Sequence, residues 1–374
     1  MTRAQTYYLI SNLLSPDYSR EHRESIIRSF ETPGMDWLHF ISIGSNHLVL
    51  QTIYCKLLEL EITGYLPIEV LEHLKYVYDL NYQRNTEILK QVVSINALLS
   101  NRGIVPLYLK GIGNIIDGLY NNIGERIMYD IDLLVPEKQW KTAAEILLEG
   151  GYQGNKEYDP SKRMLMKHYP TLSKAGTKAS VEIHRLPVDL IHSTTLDVKE
   201  VWQSKKQVEG NFNCFVMSDR HKIIHNFIHS QLHHEGHLYA KVFLRNLYDL
   251  LLLSKRENLE TVFSSMNSYH KQAASYLLIM NKGFGISDYR QYILKHKGWW
   301  YLKRHEINLR TWVISRTTYL ALKIVRAYVK LPFQALTDKK LRTSLITRLL
   351  DIHWYGQHLN SYRRFPLKHS NIKS

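Results

Sequence analysis

The run Arg126-Ile127-Met128-Tyr129-Asp130-Ile131-Asp132-Leu133-Leu134-Val135 places two aspartates, one residue apart, inside an apolar stretch that reads as a buried strand. Side chains alternate faces along a strand, so Asp130 and Asp132 project on the same side. Neighbouring carboxylates repel, and burying both is costly unless positive charge lies between them. A hard cation such as Mg²⁺ meets that need, because it takes oxygen ligands and bridges to phosphates. The plainer alternative is a strand end whose aspartates face water.

The flanks favour the first reading. Val135-Pro136-Glu137 ends the strand, and 137–148 reads as a helix with Trp140, Ala143, Ala144 and Leu147 on one side, stopped by Gly150-Gly151. Upstream, the apolar run 104–109 leads into Lys110-Gly111-Ile112-Gly113-Asn114. Glycines at a strand-to-helix turn let backbone N–H groups approach a phosphate. Downstream, Ala179-Ser180-Val181-Glu182-Ile183-His184-Arg185 alternates like a half-buried strand, with Glu182 and His184 on one face. A third carboxylate on a neighbouring strand is what a two-metal site requires.

In this order the parts resemble the bacterial "uncharacterised nucleotidyltransferase" family of the polymerase-β-like nucleotidyltransferase superfamily. The matching residues are Lys110-Gly111, Arg126, Asp130 and Asp132 within Asp-x-Asp-Leu-Leu-Val, and Glu182 with His184, over roughly 85–250. His229, followed by Leu244-Arg245-Asn246-Leu247-Tyr248-Asp249-Leu250, continues the pattern. The wider superfamily commonly has Gly-Ser where this chain has Gly111-Ile112, so Ile112 brings no hydroxyl to the phosphates. The resemblance implies an α+β fold, a mixed sheet flanked by helices with helical N- and C-terminal regions. It implies Mg²⁺, or Mn²⁺ in its place, at a two-metal site on Asp130, Asp132 and Glu182. An NTP such as ATP would be bound by Lys110, Gly111, Gly113, Arg126 and Arg245, with His184, His229 and Asp249 in support. A nucleoside monophosphate would pass to an acceptor, which could be RNA, a small molecule or sugar, or a protein, and pyrophosphate would leave. Two alternatives stay open at single residues. Arg126 could pair with Asp130 and only hold the strand, and Arg245 could pair with Asp249 four positions on. The rival from another class is a non-catalytic protein that keeps the fold and binds nucleic acid or an anionic surface.

Composition narrows the setting. With 374 residues the chain can hold two or three units with their own cores. Cys55 and Cys214 are its only cysteines, which excludes a disulfide framework or cysteine-built zinc site and points to a reducing compartment. The N-terminus lacks the apolar core of a signal peptide, and no apolar run approaches the ~20 residues that span a bilayer. A cytoplasmic location follows as the expectation. The net charge of +15 is unevenly placed: residues 285–374 hold 18 Lys+Arg and 4 Asp+Glu, against 31 and 30 before them. Such asymmetry suggests an anionic partner for the C-terminal quarter.

Four regions are expected. Residues 1–100 read as helices, with a break in 37–60 at Gly44-Ser45-Asn46, a helix start at Pro67, and a core stripe of Ile88, Val92, Ile95 and Leu99 in 85–100. Residues 101–205 form the catalytic unit, in which the basic stretch 155–176 (Lys156, Lys162, Arg163, Lys167, His168, Lys174) reads as a loop near the site or as a solvated excursion. Residues 206–284 read as helical, opening at the N-cap Ser218. There His221, His225, His229, His233 and His237 recur every fourth residue, a spacing that zinc can use. His-Glu-x-x-His is absent and Gly236 is expected to end the helix before His237, so a hydrogen-bonded histidine face is the simpler reading. Residues 285–374 interleave cations with Trp299, Trp300, Tyr301, Trp312, Tyr319, Tyr328, Trp354, Tyr355 and Tyr362. That mixture suits peripheral contact with nucleic acid or an anionic membrane, or an aromatic core under solvated cations.

Overall fold

A computed structural model describes residues 1–154, 158, 166–208, 210, 212–310, 312–325, 328–329, 331–337, 342 and 346. Its centre is a mixed sheet of seven strands: β1 (Leu107–Tyr108), β2 (Asp130–Leu134), β3 (Gln153–Gly154), β4 (Leu172–Ser173), β5 (Ser180–His184), β6 (Lys206–Val208) and β7 (Cys214–Val216). They lie in the order β3-β4-β5-β2-β1-β7-β6. The strand β2 is central because it is buried on both faces, with Ile131, Leu133 and Leu134 fully buried. Full burial of such a side chain stabilises by about 1.5–3 kcal/mol. β2 runs antiparallel to β1 and parallel to β5.

Helices flank this sheet, as expected for an α+β fold. The helix Trp140–Glu149 lies against β5, where the Trp140 indole N–H donates to the Ile183 carbonyl at 2.7 Å. Its C-cap is Gly150, and Gly151 follows in the left-handed region. The break in 37–60 falls at His47–Val49, slightly beyond the expected place, between the helices Trp37–Asn46 and Leu50–Glu59. Pro67 opens one helix of 33 residues, Ile68–Ser100, so the expected stripe at 85–100 is its second half.

The long helix does more than fill the core. Its buried amides fasten the segments that frame β1, β2 and β5. Asn81 donates to the Gly124 carbonyl (2.7 Å), and Asn85 to those of Ile123 (2.5 Å) and Arg126 (2.8 Å). Gln91 donates to the Ala179 carbonyl (2.9 Å), and Asn96 accepts from the Tyr108 hydroxyl (2.7 Å). A buried carbonyl left unpaired costs about 1–3 kcal/mol, so each amide holds one strand approach in register.

The sheet also extends past Val181 and Leu107 through short strands that sequence reasoning did not anticipate, including β6 and β7. The helix Asp219–Phe227 opens as expected, with the Ser218 side chain accepting from the His221 N–H. It continues as a π-helical turn, Ile228–His233, and leaves the helix through Glu235, whose φ is +56°. Gly236 therefore opens a further short helix, Gly236–Tyr239, rather than closing the first. No helix among the described residues is long and apolar enough to cross a membrane.

Candidate active site

In the parallel pairing of β2 and β5, Asp132 stands opposite Glu182, which sets the two carboxylates side by side. β1 ends at their level and hands the chain to Lys110, whose ammonium donates to Asp132 Oδ1 at 2.5 Å and lies 3.9 Å from Glu182 Oε2. Lys110 has φ +50°, a conformation that side chains adopt only where the surroundings enforce it. His184 brings Nε2 to 2.9 Å from Asp132 Oδ1 and 3.4 Å from Glu182 Oε2. An ionised carboxylate only accepts, so this nitrogen carries the proton. The other, Nδ1, is buried without a partner.

The three carboxylates are tuned apart. Asp132 is 1 % exposed, and burial opposes its charge. Lys110 and His184 outweigh that and hold its carboxyl well below the usual range. Glu182 is lowered too, first by the hydrogen bond from His184. Asp130 moves the other way, raised by burial and then by the nearby Asp132. Its carboxylate has no hydrogen bond or ion pair among the described residues.

This donor set fits a divalent cation. Asp132 and Glu182 bring carboxylate oxygens within 4.8 Å of one another, next to His184, and Asp130 adds hard oxygen ligands beside them. The Lys110 ammonium already against these oxygens marks where positive charge is wanted.

Arg126 and Arg245 differ in what they contact. Arg126 does not pair with Asp130. Its Nε and Nη2 donate to Asp249 Oδ1 and Oδ2 at 2.8 and 2.7 Å, a buried two-point pair to which the Tyr120 hydroxyl adds a hydrogen bond. Asp249 is thereby held by Arg126, and the alternative pair between Arg245 and Asp249 does not form. The reason is geometric: two parallel hydrogen bonds to a buried guanidinium outweigh an ordinary i,i+4 pair. Arg245 is left with one long hydrogen bond, from Nη1 to the Ile127 carbonyl at 3.5 Å, and a buried Nε without a partner. Burial, then the like charge of Arg126, pulls it below its ordinary pKa.

The two glycines are demanded by packing. A Cβ on Gly111 would lie 2.1 Å from Arg126 Nη1, and one on Gly113 would lie 2.6 Å from the Tyr108 carbonyl oxygen. Gly111 borders the cleft, whereas Gly113 serves the approach of the Lys110–Ile116 helix to β1.

Lys110, Gly111, Asp130, Glu182 and Arg245 line a cleft of about 400 Å³. Lys167, His168, His229, His233 and His234 line the same cleft. The π turn aligns part of the histidine series: an α-helix drifts sideways every four residues, and a wider turn removes the drift. The rings of His225, His229 and His233 accordingly stack at 6.0 and 5.7 Å. His225 donates to the Pro187 carbonyl at 2.9 Å, and burial pushes it down to about 3. His229 Nε2 lies 3.2 Å from His234 Nε2, and burial also lowers His234, to about 4. His233 and Lys167 share Asp189, at 2.5 and 3.5 Å. The ends of the series go elsewhere, His221 to Ser204 and Ser218, and His237 to a stack on Tyr301 at 4.7 Å. Among the described residues these histidines form no metal group. Lys174 turns away to the Gly150 carbonyl, and Lys156, Lys162 and Arg163 lie outside the described residues. Sequence reasoning missed Asn114, Lys222, Asn226, His234 and Asn246 as cleft residues. His234 is legible only once the π turn is known.

A family model described as "Uncharacterised nucleotidyltransferase" matches residues 33–281, a span that takes in every cleft residue above. No curated protein matches the chain.

Proposed function

The chain belongs to the uncharacterised nucleotidyltransferase family and is an enzyme of nucleotidyltransferase type; on that premise we propose that it transfers a nucleoside monophosphate from an NTP to an acceptor hydroxyl, with Mg²⁺ as cofactor. The observation that carries this reading is the gathering of Asp132 and Glu182 against Lys110, with Asp130, which has no ion pair among the described residues, beside them and Arg245, whose buried Nε lacks a partner, in the same cleft.

Asp130, Asp132 and Glu182 would hold the metal. When bound, a divalent cation offsets the charge of the triphosphate and the carboxylates together. The remaining work falls to the chain. Arg245 binds phosphate oxygens, which would satisfy its buried Nε. Lys110 offsets charge as it develops on the leaving pyrophosphate. Arg126 stays on Asp249 and keeps the turn before β2 in place. His184 orients Asp132 and Glu182 through Nε2–H. The acceptor oxygen attacks the α-phosphorus, the bond from that phosphorus to the oxygen bridging to the β-phosphate breaks, and the acceptor proton passes to Glu182. Positioning and charge stabilisation supply most of the catalysis in such a reaction. His229, His233, His234 and Lys167 line the same cleft and are the proposed acceptor side, open to RNA, a small molecule or sugar, or a protein group. Both cysteines are buried thiols, which supports a cytoplasmic setting.

Calorimetric titration with each NTP, with and without Mg²⁺, tests the binding half of the proposal. Binding is expected to weaken about tenfold or more without Mg²⁺ or in Asp132→Asn, the loss of a charge-assisted contact. Equal affinity under all three conditions would rule the cleft out as the nucleotide site.

A further inference from the structure

The C-terminal quarter exposes an apolar face that nothing in the active site explains. Ile324, Val325, Val329, Phe333 and Leu336 are each between 48 and 73 % exposed. With Tyr328, also exposed, they all fall within 324–336. The helices Trp312–Val325 and Leu331–Thr337 carry this face. Leu336's neighbour Ala335 is buried, and the first helix packs on Trp299–Arg310 and Gly236–Tyr239. The exposed side is thus the one turned away from the body of the protein. In the sequence Lys323, Arg326 and Lys330 are interspersed with these apolar residues. Large exposed apolar faces on folded proteins mark contact surfaces.

We infer that this face docks the enzyme, reversibly and without spanning, on an anionic membrane surface. Charge chooses among the occupants. Residues 285–374 carry 18 basic and 4 acidic side chains, so a second copy of this chain would bring like charge to the contact. Nucleic acid would satisfy the cations, but it stacks on aromatic rings and gains nothing from Ile324, Val325, Val329 and Leu336. An anionic bilayer satisfies both halves: the apolar side enters the acyl boundary while cations meet headgroups. Trp299 and Trp300, stacked at 4.4 Å and both over half exposed in the same basic segment of sequence, are of the aromatic type that favours that boundary. The inference stands independently of the nucleotide chemistry.

Flotation of the full chain with vesicles tests it, comparing phosphatidylcholine alone with phosphatidylcholine containing one quarter phosphatidylglycerol. Partition onto the anionic vesicles is expected to exceed that onto neutral ones by about tenfold or more and to collapse in high salt. Two triple variants, Val329→Ser/Phe333→Ser/Leu336→Ser and Lys323→Glu/Arg326→Glu/Lys330→Glu, should each lower it about tenfold. Leu336→Cys carrying an environment-sensitive dye reads insertion in an otherwise intact protein, since both native cysteines are buried. Its emission should shift to the blue on anionic vesicles only. Equal partition onto both vesicle types, or an unshifted dye, would overturn the inference. So would a concentration-dependent dimer abolished by the apolar variant, or retention of RNA by a chain that ignores vesicles.

Discussion

Replacing Arg245 by methionine should strengthen the fold while weakening the function. Arg245 keeps one long hydrogen bond at 3.5 Å, a buried Nε with no partner, and a like charge on Arg126 as neighbour. Asp249, the carboxylate that could compensate it, is held at 2.7 and 2.8 Å by Arg126. Methionine preserves much of the stem's packing and removes the uncompensated charge. A buried polar group without a partner costs about 1–3 kcal/mol, so Arg245→Met should raise the unfolding free energy by about that amount. Charge-assisted hydrogen bonds to phosphate are worth about 1.5–3 kcal/mol each, so the same change should weaken NTP binding roughly 10- to 150-fold. Urea unfolding followed by tryptophan fluorescence reads the first quantity, and titration with a fluorescent NTP the second. A loss of more than about 1 kcal/mol of stability would mean that Arg245 is a structural residue, and unchanged affinity would remove it from the nucleotide site.

Asp249→Asn strips the counter-charge from buried Arg126 and should destabilise by about 3–5 kcal/mol, whereas Arg126→Met/Asp249→Leu together should recover most of the loss; a double-mutant cycle in urea measures the coupling. Gly111→Ala drives a Cβ to 2.1 Å from Arg126 Nη1 and should lower stability by about 1–3 kcal/mol, less in the Asp249→Asn background, where the guanidinium is free to move. Stability should also fall in mild acid. Burial lowers His305 to about 4, below the ordinary value near 6.5, so between these limits the unfolded chain takes up a proton that the folded one refuses. Its contribution is absent above about pH 6.5 and reaches roughly 3 kcal/mol of lost stability by pH 4. Urea midpoints across that window should show a shallower slope in His305→Leu.

The centre of the fold was legible because it is written locally. An apolar run with aspartates at alternate positions specifies a strand and a shared face, and Ser180–His184 repeats the device, so Asp132, Glu182 and His184 could be brought together before any coordinates. What was not legible depends on long-range pairing. β3, β4, β6 and β7 are two or three residues each, too short to carry a period of their own. Arg126 finds Asp249 across 123 positions, and no spacing rule distinguishes that from the local pair of Asp249 with Arg245. Asn81, Asn85, Gln91 and Asn96 read as interruptions of an apolar stripe, yet they share its buried face and hold three strand approaches. The π turn, which aligns His225, His229 and His233, shows in sequence only as an i+4 repeat that an α-helix would let drift.

Transfer of label tests the central assignment most directly. The purified protein with Mg²⁺ is given each α-labelled NTP in turn, with fractionated cell extract as acceptor source, beside Asp130→Asn/Asp132→Asn. The expected result is Mg²⁺-dependent incorporation by the wild type alone, with the labelled fraction (RNA, protein, lipid or small molecule) identifying the acceptor class. Equal labelling by the double variant, or none with any NTP while both proteins bind RNA or vesicles alike, would contradict catalysis by these carboxylates.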